Sequence, residues 1–292
     1  MARRPRLFGE KLHHHIYAWG NNRQAIFFNN QQYSRYLDFL EKSSRQYKID
    51  IIAYALMLTH IHLFVYDLKG KVSDFMYSLH GEYARYFNRM NCRVGHVFGE
   101  RFNNKVVQAN EYGLWLSRYI HRQAVEARLV RDPKHYQWSS YRAYIGEEPV
   151  GFVEPDVILE QFGNDNKRID RYKEFVLGTA NGPIDWDMRS LLVVGDLDFK
   201  QKLEERETTK EEKSMSNEEI CEHITEQFDI NLRQFLSPNG WDEKRLRRKI
   251  IVHLIEEVGL KPQRIAQLCN ISRGTINRVL RKNAQNVLPV TD

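Results

Sequence analysis

Two spacings of apolar residues alternate along the first half of the chain. Lys11 to Gly20 interleaves aromatic, β-branched and polar residues and ends in the turn-forming Gly20-Asn21-Asn22, which predicts a strand. From Asn30 to Gln46, Tyr33, Tyr36, Leu37 and Leu40 recur at the spacing of one helix face. Ile49 to Met57 and Ile61 to Tyr66 are two β-rich runs joined by the short Leu58-Thr59-His60, the pattern of an antiparallel pair. Val72 to Met90 returns to helical spacing through Phe75, Met76, Leu79, Tyr83, Tyr86 and Phe87. His96 to Gln108 reads as one or two short strands. Asn110 then stands as N-cap of a helix from Glu111 to about Arg128, and Pro133 prevents its continuation. This order predicts an α+β domain: an antiparallel sheet with helices packed on it, ending near residue 146.

Periodicity fades after that point. Residues 147–199 mix short helical pieces with Gly163, Gly178, Gly182 and Pro183 and read as an extension or connector. Residues 200–215 are mostly charged, with both signs interleaved, and read as a linker. Residues 216–292 read as a small all-α domain whose last two helices form a helix-turn-helix: Pro262 to Leu268, a turn over Cys269 to Ser272, and Arg273 to Lys282. Ala266, Leu268, Ile271, Ile276 and Val279 are its candidate core.

Charge sharpens this division. The chain of 292 residues carries a net +6 with a pI near 9.1. Between Trp241 and Asn283 stand 11 Lys and Arg against 4 acids, so the basic excess is concentrated in the terminal module. Such a module suits phosphate contacts, since each neutralised phosphate releases counterions. Hydrophobic residues at 42% are enough to build real cores and exclude a chain that stays unfolded. No run approaches the roughly 18 to 20 apolar residues of a membrane span, and no apolar signal core follows Met1 to Arg6. The expectation is a soluble, cytoplasmic, nucleoid-associated protein with no membrane partner. Cys92, Cys221 and Cys269 lack zinc-site spacing and read as reduced thiols.

Two pairs of residues carry candidate chemistry. His60 and His62 lie at i and i+2 of a strand, so both imidazoles face one side and can meet one metal ion; two histidines hydrogen-bonded near a sheet edge have the same spacing. A zinc hydrolase pattern would need an aspartate where Phe64 stands, so a third ligand must come from elsewhere. Tyr119 and Gln123 are four apart on a predicted helix and share a face, with His121 and Arg122 directed elsewhere. A tyrosine there is a candidate nucleophile or a packing residue. As a nucleophile its phenol, with a pKa of about 10, needs help from a divalent cation on the phosphate. His13, His14 and His15 alternate sides, so at most two approach such a site. Arg101 and Arg118 are candidate phosphate contacts or surface ion pairs; Trp138 and Tyr141 stack on bases or pack the domain's last turn. On the last helix Arg273, Thr275, Asn277 and Arg278 are candidates for DNA contacts, with a protein-docking face as the other reading.

The segment Leu56 to Val65 (LMLTHIHLFV) resembles the His-hydrophobic-His strand of the single-tyrosine HUH transposases, more specifically the insertion-sequence-200-like group and its REP-associated branch. Arg3 to Arg6, Gly20 to Arg23, Tyr83 to Asn88, Arg101-Phe102, Arg118 to Ile120 and Tyr136 to Tyr141 match in order, so the resemblance spans about residues 3–146. It implies a ferredoxin-like or RRM-like catalytic domain, Tyr119 as nucleophile, and Mg2+ or Mn2+ held by His60, His62 and Gln123. The implied reaction cuts and rejoins single-stranded DNA beside hairpins through a 5′-phosphotyrosine bond. Leu58-Thr59 and Gln123-Ala124 depart from the Pro-Asn and Asn-Pro common in that branch, and glutamine remains a competent ligand. The terminal helix-turn-helix is similar to that of the bacterial replication initiator, implying duplex DNA as a second partner. The alternative is a domesticated DNA-binding regulator without transposition. A monomer and a homodimer are both open.

Overall fold

A computed structural model describes residues 8–179, 182, 192–203, 216–260 and 262–286. The basic start at Arg3 to Arg6 and most of the charged stretch 200–215 lie outside the described residues. The chain forms two compact units, residues 1–201 and 202–292.

The first unit is built on strands β1 (Leu12–Trp19), β2 (Ile49–Met57), β3 (His60–Asp67), β4 (Asn103–Val107) and β5 (Val193–Val194), in the order β2-β3-β1-β4-β5. All neighbours are antiparallel except β4 and β5. Helices α1 (Asn30–Tyr47), α2 (Val72–Met90) and α3 (Glu111–Glu126) fall where the apolar periodicity predicts them. Local chemistry fixes their ends. Asn29 accepts the Gln32 N–H at the start of α1, Lys48 ends it in the left-handed region at φ 57°, and Asn110 caps α3 through the Tyr112 N–H. The buried Asp67 receives Val72 N–H at 2.7 Å and so starts α2 from the last residue of β3.

The run from His96 yields one strand, not two, because its first part only crosses the end of β1. There Asn21 N–H donates to Val97 O at 2.8 Å and Gly99 N–H to Trp19 O at 3.1 Å.

Side chains alternate across the sheet. Ile16, Ala18, Ile61, Leu63 and Val65 line one face; α2 starts from that face at Asp67, and α1 packs on α2. The opposite face receives α3: a Cβ on Gly113 of α3 would come within 3.2 Å of the Phe64 ring. Residues 138–140 and 153 cover the outer edge of β2, where Leu56 N–H donates to Trp138 O and Glu154 N–H to Ile51 O. A covered edge prevents strand addition by another chain. Residues past 146 are part of this core. Val153, Ile158, Leu159, Tyr172, Val176 and Val194 are all buried in it, through α4 (Tyr141–Tyr144), α5 (Asp156–Leu159), α6 (Arg168–Leu177) and β5.

The second unit holds α7 (Asn217–Phe228), α8 (Leu232–Leu236), α9 (Trp241–Glu256), α10 (Pro262–Leu268) and α11 (Arg273–Asn286). Ser216 and Glu219 form a reciprocal capping box at α7, and Asn231 with Gln234 another at α8. Ile220, Ile224, Phe235, Ile250, Leu254, Ile265 and Ile276 make its core, with Ala266 buried and Leu268, Ile271 and Val279 packed against it. The turn between α10 and α11 is held by Arg247 of α9, which donates to Cys269 O at 2.9 Å.

Candidate active site

Strand register assembles the site. On the α3 side of the sheet, Trp19 stands opposite His60, Tyr17 opposite His62, and His15 opposite Phe64; across β4, Lys105 stands opposite His15 and Asn103 opposite Tyr17. These residues therefore share one face. His60 and His62 have ring centroids 5.1 Å apart and nearly perpendicular planes. His62 is only 3% exposed, and its Nδ1 lies 3.1 Å from Nε2 of the fully buried His15. His60 Nδ1 lies 3.1 Å from the Thr59 hydroxyl, and its ring stacks on Trp19 at 3.9 Å. Of the three consecutive histidines, His13 and His15 lie on this side. His14 points to the other, with Nδ1 2.9 Å from Asn104 Oδ1 and a buried Nε2 that has no hydrogen-bond partner.

Burial favours the neutral form of His15 and His62. Burial holds His62 well below the ordinary imidazole pKa, and the nearby His15, His60 and Lys105 push the same way. Burial does the same to His15, with Lys105 adding to it. Lys105, 1% exposed, places its ammonium 5.6 Å from the centre of the Tyr17 ring. Taking an ammonium out of water costs free energy that its neighbours must repay.

Helix α3 brings Tyr119 to the imidazoles. Its half-buried ring meets His62 edge-on at 5.5 Å and His15 at 5.9 Å, all within one chain. Gln123 follows one turn later and donates through Nε2 to the Tyr119 carbonyl at 3.3 Å. The other sides of α3 grip the 147–178 segment. His121, fully enclosed, lies 2.6 Å from the Tyr172 hydroxyl and 2.8 Å from the Ser140 hydroxyl, and burial lowers its pKa to about 3.

Arg118 differs from its expected place at DNA phosphate. It is buried and donates to the carbonyls of Phe175 and Gly178, while Arg122 donates to Val176 O at 3.0 Å. These carbonyls end α6 and have no partner within the helix, so a cation is the natural cap. Sequence could not show this, because α6 lies beyond the last recognisable motif.

Of the other expected contacts, Arg101 is exposed near the end of β1, whereas Trp138 stacks on Tyr33 at 4.6 Å and Tyr141 is buried, both as packing. In the second unit Arg273, Asn277 and Arg278 are exposed on α11. Thr275 is drawn into the start of that helix, its hydroxyl 2.9 Å from Ser272 Oγ. The residues that motif reasoning missed are Tyr17, Trp19 and Lys105. Pairing β1 with β3 residue by residue would have placed the first two beside the histidines.

Among the described residues no three His, Cys, Asp or Glu side chains gather as a metal site. The candidate donor set is instead two imidazoles and an amide oxygen. It fits a divalent cation in one respect: Nδ1 of both His60 and His62 is engaged by a neighbour, which orients each ring to present Nε2.

The family model described as "Transposase IS200 like" matches residues 9–123, which contain His60, His62, Tyr119 and Gln123, and a homeodomain-like model matches residues 242–286. Among solved structures, a REP-associated tyrosine transposase bound to a REP hairpin aligns at 17% identity and TM-score 0.43, over 53% of this chain and 90% of its own. A putative transposase from Deinococcus radiodurans R1 aligns at 16% identity and TM-score 0.30, over 44% and 92%. No curated protein matches. The chain is thus similar to IS200-like transposases over residues 9–123 and to homeodomain-like, helix-turn-helix domains over residues 242–286.

Proposed function

We propose that this chain is a cation-dependent strand transferase that cuts and rejoins single-stranded DNA beside hairpins, with Tyr119 as its nucleophile. The observation that carries the reading is the edge-on approach of Tyr119 to His62 at 5.5 Å within a single chain. In the step, the phenolic oxygen of Tyr119 bonds to phosphorus as the bond from phosphorus to the 3′ oxygen breaks. The phenol gives up its proton, the departing oxygen takes one up as a 3′-OH, and the 5′ phosphate remains on the tyrosine. The phosphotyrosine conserves the bond energy, so a 3′-OH can reverse the attack and join strands. Attack by a phenol at neutral pH needs charge withdrawn from the phosphate, and Mg2+ or Mn2+ held by His60, His62 and Gln123 would supply that.

The chain's own part is orientation. His15 fixes the tautomer and tilt of His62, Thr59 and Trp19 fix His60, and α6 holds α3 from behind through Arg118, His121 and Arg122. None of the three proposed ligands is anionic, so an oxygen of the DNA phosphate must provide the negative charge and cation affinity rises when DNA is present. Imidazole donors favour Mn2+ over Mg2+. Since histidines and tyrosine meet within one chain, a monomer suffices for the chemistry. The exposed Arg273, Asn277 and Arg278 of α11 add contacts to duplex DNA.

The test begins with DNA trapped covalently on the wild-type chain in cells, which is sequenced and remade as an end-labelled hairpin. With Mn2+ the wild type is expected to form a protein-DNA adduct and Tyr119→Phe none. An adduct undiminished in Tyr119→Phe, or no adduct on any recovered sequence, sinks the proposal.

A further inference from the structure

A cleft of about 250 Å³ opens beside the site, where the turn after β1 meets the segment leading into β4. Trp19, Asn21, Arg23, Arg101 and Asn103 line it together with one acid, Glu100. Its volume lies just below the roughly 300–1,000 Å³ of pockets that hold drug-sized molecules, so it admits one compact planar group with its attached charge. The walls are fixed by backbone bonds: Gly20 N–H to Thr59 O at 2.8 Å, Asn21 N–H to Val97 O at 2.8 Å and Gly99 N–H to Trp19 O at 3.1 Å. Glycine is needed at 20, where a Cβ would stand 2.1 Å from Gln24 O.

Strain is concentrated on one wall. Asn22 and Arg23 are consecutive non-glycine residues in the left-handed region, at φ 51° and 59°. Such a conformation is unfavourable for a residue with a Cβ and persists where the surroundings enforce it. Its product is an arginine laid on tryptophan, with the Arg23 guanidinium carbon 3.6 Å from the centre of the Trp19 ring. Trp19 in turn stacks on His60, a proposed ligand, at 3.9 Å. The cleft thus offers a guanidinium plane on which a base can stack. It also offers the amides of Asn21 and Asn103 for a base edge and a second guanidinium, Arg101, for a phosphate.

We infer that this cleft holds one unpaired nucleotide of the single strand, the one adjoining the phosphate that Tyr119 attacks. The inference rests on the proposed strand transfer, which supplies the strand; the stack from Arg23 through Trp19 to His60 supplies the adjacency. A nucleotide seated here presses on the partner of His60 and so aligns the neighbouring phosphate.

The test uses full-length Tyr119→Phe, so that binding is read without cleavage, and a short randomised-sequence single strand carrying 5-iododeoxyuridine. Irradiation is expected to attach DNA to peptides spanning residues 19–23 or 99–103. Arg23→Ala should weaken both adduct yield and affinity by roughly tenfold, the size of one lost base stack. Arg23→Lys keeps the charge without the plane and should restore affinity only in part. Adducts confined to other peptides, no binding of the pool, or an Arg23→Ala protein that melts and binds like its parent would each overturn the inference. Wild-type adduct formation at Tyr119 is measured separately. Crosslinking at the cleft without that adduct would uphold the subsite and sink strand transfer, and the reverse result would do the opposite.

Discussion

The two faces of the central sheet are both closed to solvent, yet they are made of different chemistry. Toward α1 and α2 the sheet presents Ile16, Ala18, Ile61, Leu63 and Val65, each at most 1% exposed. Toward α3 it presents His15, Tyr17, His62 and Lys105, nearly as well buried. The first face gains from leaving water. On the second each polar group gives up hydration that its neighbours must repay. Two faces of one sheet thus differ in what burial asks of their side chains, and the proposed chemistry lies on the second. The lesson is general: polar groups packed as densely as a core locate a site better than polarity on an exposed surface.

The largest effect expected from this contrast is on stability. Leu63→Ala, on the apolar face, removes buried side-chain volume where neighbours cannot fully collapse, and should cost about 2–5 kcal/mol. Urea unfolding of the full chain should show the first unit melting earlier, while the midpoint of the helical unit stays where it was. A shift in both units, or in neither, would contradict the separate cores of the two.

Next in size is a change on the polar face that leaves the fold alone. His15 touches His62 and not the proposed DNA phosphate, so it is a positioning residue. His15→Ala should raise the Mn2+ concentration needed for half-maximal adduct formation by about 10–100-fold, the usual cost of losing the partner of a ligating histidine. Affinity for the single strand in the absence of cation should not move. Equal losses in both measurements would mean that His15 is structural.

The same contrast explains what was legible in the sequence. Helix and strand periods placed β1 to β3 and α1 to α3 within a few residues, because those elements bury alternate or every third-to-fourth side chain against one core. The placement of His60 and His62 on one strand and of Tyr119 and Gln123 on one helix was legible by spacing within single elements. Lys105, Tyr17 and Trp19 were not, because only pairing between distant strands brings them to that face. Arg118 read as a DNA contact since nothing local tells a phosphate from the carbonyl end of a helix. Residues 147–178 read as a connector because their apolar residues come in pieces too short to show a period, although Tyr172 and Val176 complete the core.

A smaller and graded effect comes from acid. Burial lowers His14 to about 4, His80 to about 3 and His121 to about 3. Each folded value is below the unfolded one of about 6.5, so the unfolded chain binds the extra proton between them. The stability each group contributes is complete above pH 6.5. It declines by about 1.4 kcal/mol per pH unit below that, until the folded pKa is reached near 3 to 4. All three lie in the first unit, so its melting temperature should fall between pH 7 and pH 5. A flat profile over that range would show that these rings are hydrated or paired with acids.

The smallest stability effect should carry the opposite sign and divide the two faces most sharply. Lys105→Met keeps an unbranched chain of similar length in a 1% exposed position and removes the cation. If the ammonium is retained for chemistry, this replacement of a buried charge with a well-packed apolar chain should be neutral or stabilising, as such replacements commonly are. The melting temperature should therefore hold or rise by a few degrees. Adduct formation should fall at least tenfold, because a positive charge beside His15 and His62 is lost where a phosphate must sit. Lys105→Met that melts well below the parent would place this lysine with Leu63 as part of the scaffold. The polar face would then be explained by packing after all, with His60, His62 and Tyr119 as its only working part.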